Sequence, residues 1–187
     1  MIEPEIDTAI LRTQKAIIQF SKKRDVLLKL LEKESKKITK KQGGYVWRPP
    51  LSEKSLFEEL EEMFRRLTEF DIERSFKLIC DFQSEYRQIY IRNVHADVMK
   101  REMVRFLSNS ADDVLAYDKQ LGELYEEISN LYKHLNDFSP VRTECMDALE
   151  QQMNAIITLK CQFRKNIARL GKVIEYFKVA TECPPHL

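Results

Sequence analysis

The chain has 187 residues, 43% of them hydrophobic and 33% charged, and its 31 Lys and Arg stand against 30 Asp and Glu for a formal net charge of +1. A near-neutral balance argues against nucleic acid as the main partner, because a phosphate binder carries a basic excess. The 4 Gly and 6 Pro are too few for the turns of a sandwich, a barrel or a doubly wound sheet, so residues 1–187 read as a single all-α domain.

The first helix is expected from about Glu5 to Gln42. Alternate steps of four and three from Ile6 give Ile6, Ile10, Thr13, Ile17, Phe20, Arg24, Leu27, Leu31, Glu34 and Ile38, a heptad-like seam with three polar interruptions. Gly43 and Gly44 end it, and residues 43–51 form a linker in which paired glycines and Pro49-Pro50 forbid helix. Tyr45 and Trp47 in this linker are expected to tack onto a bundle end.

Ser52 reads as the N-cap of a second helix with Leu56, Leu60, Met63, Leu67 and Phe70 on one face. The pattern continues through Ile72, Phe76, Ile79, Tyr86, Ile89, Tyr90 and Val94 without Gly or Pro, so the second and third helices read either as one continuous rod or as two with a break near Asp71, and the polar cluster Ser108-Asn109-Ser110 is the best stopping candidate.

The fourth segment carries Val114, Tyr117, Leu121, Leu124, Ile128, Leu131 and Leu135, apolar at every position of a four-three series. Asn136 to Pro140 then make a turn, with Ser139 as cap and Pro140 in the first helical position. The last helix bears Cys145, Leu149, Gln152, Ile156, Leu159, Phe163, Ile167, Leu170, Ile174 and Phe177, and stops before Pro184-Pro185. Residues 181–187 are expected as a flexible tail.

Helices this long, about 60 Å at 1.5 Å per residue, do not fit inside a rounded domain. The expectation is an elongated antiparallel helical bundle or coiled-coil rod of three to five long helices, with an uncovered seam that a second copy or another helical subunit covers. Val114, Tyr117, Leu121, Leu124, Ile128, Leu131 and Leu135 are the expected protein interface. Charge is segregated as well: residues 20–48 hold ten bases against three acids, a net +7, and residues 110–150 hold three bases against ten acids, a net −7.

The sequence carries no motif that names a reaction. His95, His134 and His186 have no Glu-x-x-His partner for a di-metal site, and no glycine-rich phosphate loop is present. No metal, cofactor or catalytic residue is assigned, and an enzyme is not expected. Tyr117, Tyr125 and Tyr132 read as seam-margin residues. Cys80, Cys145, Cys161 and Cys183 form no C-x-x-C pair, which points to reduced thiols in the cytoplasm or nucleus, with Cys145 and Cys161 on the apolar stripe. No stretch reaches the ~18–20 apolar residues of a spanning helix, and the acidic start lacks a leader's apolar core.

Two functions compete. The first is a helical scaffold or adaptor that assembles a cytoskeletal, trafficking, centrosomal or chromosome-associated complex. The second follows from residues 113–121 (DVLAYDKQL) and 163–167 (FRKNI), whose helical pattern is similar to that of the BAR family, including the BAR parts of sorting nexins. That resemblance implies a dimer applying a basic face to anionic membrane. Lys22, Lys23, Lys36, Lys37, Lys40 and Lys41, or Arg164, Lys165, Arg169 and Lys172, would supply the face at about 1 kcal/mol per charge. The Gly-Gly and Pro-Pro break after Gln42 departs from that family's three-helix plan.

Overall fold

The computed structural model describes residues 3–42, 55–92, 97–138 and 141–182. These residues form five helices and no strand: α1 (Glu3–Gln42), α2 (Leu56–Glu69), α3 (Glu73–Arg92), α4 (Asp97–Phe138) and α5 (Glu144–Glu182). The linker residues 43–51 with Tyr45 and Trp47, the expected cap Ser52, and residues 183–187 of the tail lie outside the described residues. α5 continues to Glu182, two residues into the stretch expected as tail. No helix among the described residues is long and apolar enough to cross a membrane.

The chain divides into two compact units. The first comprises residues 1–17, 72–120 and 159–187, the second residues 18–71 and 121–158. α1, α4 and α5 supply a segment to each.

In the first unit the core is made by Ile10 and Ile17 of α1, Ile79 of α3, Val114 and Tyr117 of α4, and Leu159 and Phe163 of α5. Tyr117 and Phe163 meet edge to face with centroids 5.7 Å apart, the arrangement favoured by aromatic quadrupoles. Two polar seam residues satisfy each other: Asn166 Nδ2 donates to Thr13 Oγ1 at 3.1 Å, joining α5 to α1 inside the core. Phe76, expected on the apolar face of α3, is exposed, and Ser75 is buried instead.

In the second unit Phe20, Leu27 and Leu31 of α1 and Leu60, Met63, Leu67 and Phe70 from α2 and its C-cap are buried. Leu121, Leu124, Ile128, Leu131 and Leu135 of α4 complete the core with Cys145, Leu149 and Ile156 of α5. Phe20 packs on Phe70 at 5.8 Å, placing α1 beside α2. Glu59 faces His134 and Arg66 faces Glu127, so α2 and α4 run antiparallel.

The helix limits correct the sequence reading in three places and decide a fourth that it left open. α2 begins at Leu56 with Ser55 as its cap, whose Oγ accepts from the Glu58 N–H at 3.2 Å. The second and third helices are separate, because Phe70 leaves helical geometry (φ −65°, ψ 122°). Phe70 and Ile72 are both buried, the first in the second unit and the second in the first. α4 runs unbroken through Ser108, Asn109 and Ser110; these polar residues cost a helix about 0.5 kcal/mol each against alanine and do not terminate it as Gly or Pro would. α5 starts at Glu144 after Thr143, whose Oγ1 accepts from the Met146 N–H, while Ser139 and Pro140 lie outside the described residues.

Gln152 is fully buried in the second unit with no hydrogen-bond partner for either amide atom. An unsatisfied buried polar group costs about 1–3 kcal/mol, so Gln152→Leu is expected to raise the urea midpoint by an amount worth at least ~1 kcal/mol. A lower midpoint would show that the amide is satisfied in solution.

Candidate protein-interaction surface

The seven residues read from sequence as a subunit seam are covered by the chain's own helices. Val114, Tyr117, Leu121, Leu124, Ile128, Leu131 and Leu135 retain between 0% and 5% of their exposure. A side chain with no accessible area has none to bury against a second chain. An interaction surface must therefore be built from outward faces.

In the second unit α1 offers such a face. Ile18 and Val26 are 48% and 53% exposed, and Lys22, Lys29, Lys33 and Lys36 are exposed beside them. At 3.6 residues per turn these six fall within an arc of about 80°, opposite the side that buries Phe20, Leu27 and Leu31. Of the lysines named from sequence, Lys22, Lys36 and Lys37 are exposed and Lys23 is half-buried; Lys40 and Lys41 belong to the last turn of α1, with side chains outside the described residues. Ile18 and Val26 were missed because they stand off the four-three series; their signal is an aliphatic residue flanked by lysines one turn away.

Charge in this unit is sorted by helix. The α1 segment 18–42 carries nine bases and three acids, a net +6, whereas α2, residues 121–138 of α4 and residues 144–158 of α5 each carry a net −3. The acidic helices are partly engaged among themselves and with their own loops. Arg66 Nε donates to Glu127 at 3.0 Å, and His134 Nδ1 lies 2.7 Å from Glu59 Oε2. Since a carboxylate only accepts, that ring nitrogen carries the proton. Arg142, two residues before α5, is held by Asp147 and Glu150, and its guanidinium is pushed further toward the charged form first by its hydrogen bond to Asp147.

α1 takes little part in this pairing. Lys36 meets Glu32 of its own helix at 3.5 Å, and Lys23 Nζ donates to the neutral Gln151 Oε1 at 2.9 Å. Among the described residues no ion pair holds Lys22, Lys29, Lys33 or Lys37. The first unit differs: Arg164 and Lys160 both face Asp118, Lys160 at 3.5 Å, so part of the second basic cluster named from sequence is spent internally. Lys165 is exposed, and the side chains of Arg169 and Lys172 lie outside the described residues.

No group of three or more His, Cys, Asp or Glu among the described residues is placed to hold a metal ion. Cys145 is buried and Cys80 and Cys161 are exposed; Cys161 thus lies off the apolar stripe expected to hold it, on the far side of α5 from Ile156, Leu159 and Phe163. Burial foremost, with the negative charge of Glu34 in addition, pushes the Cys145 thiol from 9.0 up to about 12. No protein-family model, curated protein or solved structure matches the chain, and the similarity to the BAR family remains one of helical periodicity.

Because the thiolate is the reactive form, a brief iodoacetamide pulse at about pH 8 is expected to label Cys80 and Cys161, and Cys145 only in urea. Equal labelling of native Cys145, read by peptide mass, would contradict its burial. The raised value also carries a sign: the neutral thiol's contribution to stability is complete below pH 9.0 and is lost as pH climbs toward 12.

Proposed function

We propose that the chain is a non-enzymatic helical scaffold or adaptor, a cytoplasmic or nuclear subunit that assembles a multiprotein complex through the faces of its long helices. The observation that carries this reading is the outward face of α1 in the second unit, where Ile18 and Val26 stand exposed among Lys22, Lys29 and Lys33, which no ion pair among the described residues holds. Aliphatic side chains ringed by charge are how a helix offers both area and orientation to another helix. The coiled-coil and dimeric character expected of such long helices belongs to the same proposal.

The same lysines favour a second reading, a basic module on anionic membrane. Two features weigh against it. Asp25 and Glu32 are exposed toward the same side of α1 and would repel lipid phosphate, while they suit the mixed charges of a protein. The exposed apolar residues there are Ile and Val, whereas interfacial helices bury Trp, Phe and Leu.

The test is chemical cross-linking and capture with the full chain and with Ile18→Glu/Val26→Glu, after circular dichroism has shown equal helix content. A defined partner set should fall about tenfold, the equivalent of 1.4 kcal/mol in binding. Unchanged partners, or salt-sensitive flotation with anionic liposomes in their place, would count against the scaffold reading.

A further inference from the structure

The acidic, partly apolar surface that fits the α1 face is present in the chain itself. In the second unit α2 exposes Phe64 at 38%, with Glu61 one turn before it and Glu58 one turn before that. Among the described residues no ion pair holds Glu58 or Glu61, whereas the charges that α5 presents nearby, Asp147 and Glu150, are already held by Arg142. Of the exposed acids of α4 in this unit, Glu123 and Glu126 have no exposed aliphatic or aromatic neighbour within a turn, and Asp137 stands as a single acid beside the exposed Phe138 at the end of the helix, next to Lys133 and His134. α2 therefore matches α1 in both respects along two turns of helix, with two unpaired acids of opposite charge and an uncovered apolar group.

The two faces also belong to neighbouring helices, since Phe20 of α1 packs on Phe70 at the end of α2. That adjacency matters for closure. A basic face and an acidic face on neighbouring helices of one molecule become self-complementary when a second molecule is turned about a two-fold axis, each basic face meeting the other's acidic one. Pairing on distant faces would instead build head-to-tail rings or filaments. The overall charge of +1 sets no net repulsion between copies.

We propose that two copies of the chain pair about a two-fold axis, with Ile18, Lys22, Val26, Lys29 and Lys33 of each copy lying on Glu58, Glu61 and Phe64 of the other. This names the occupant of the surface on which the scaffold reading rests.

The test is the mass of the full chain by light scattering. At about 100 µM the chain should have twice its 22.2 kDa mass, and the pair should weaken as salt rises from about 50 to about 500 mM, as screened surface charges require. Lys22→Glu/Lys29→Glu/Lys33→Glu and, separately, Glu58→Lys/Glu61→Lys should each weaken pairing at least about tenfold, because like charges then face each other. An equimolar mixture of the two variants should regain the double mass, since both contacts in the mixed pair are again opposite in sign. This recovery also shows that neither variant lost its fold. A monomeric wild type, a dimer indifferent to both charge reversals, or a mixture that stays monomeric overturns the proposal. A monomeric wild type whose partner capture still depends on Ile18 and Val26 would leave the scaffold reading standing with a different occupant.

Discussion

Burial of the apolar seams decides which way the charges of this chain point. In the second unit each helix turns one stripe inward, Phe20, Leu27 and Leu31 on α1 and Leu121 to Leu135 on α4 among them, and the lysines of α1 are left on the side that cannot reach the core. Among the described residues no ion pair joins Lys22, Lys29, Lys33 or Lys37 of α1 to an acid of another helix, although α1 lies beside α2 and bonds to α5. The +6 of the α1 segment and the −3 of each other helix are thus left mainly on outward faces. Sequence-level segregation becomes a surface of two signs, available to whatever meets it.

The cores of the two units treat polar seam residues differently. Thr13 and Asn166 bond to each other, and Tyr117 closes on Phe163 nearby in the same unit. Gln152 has no such partner, and neither has the buried Nε of Arg24; Lys23 bonding to Gln151 puts these two residues at one level of the α1–α5 pair. A polar residue in an apolar seam costs stability and penalises other registers. The second unit carries that cost where its basic helix meets α5.

Much of the fold was legible because burial follows one rule, the 3.5-residue period. All seven positions of the α4 series are buried, as are Ile10, Thr13, Ile17, Phe20, Leu27 and Leu31 of the α1 series. The breaks were less legible. Phe70 interrupts a run that contains no Gly or Pro, and the boundary between the two units falls at the same place, which no local residue announces. Ser108 to Ser110 have the polarity of a loop but no backbone property that stops a helix. Caps moved by a few residues for the same kind of reason, Ser55 serving where Ser52 was expected and Thr143 where Ser139 was. The candidate surface was half legible. Its lysines stand out as a run, but that the α4 seam is covered within the chain while Ile18 and Val26 are not depends on where the other helices pack.

The central claim is that the lysines of α1 reach carboxylates of another copy and not of their own. Zero-length amine–carboxyl cross-linking of an equimolar mixture of 14N- and 15N-labelled chain tests this directly. Mixed-isotope peptides joining Lys22, Lys29 or Lys33 to Glu58 or Glu61 are the predicted result. Cross-links from these lysines that join peptides of one isotope throughout would contradict it.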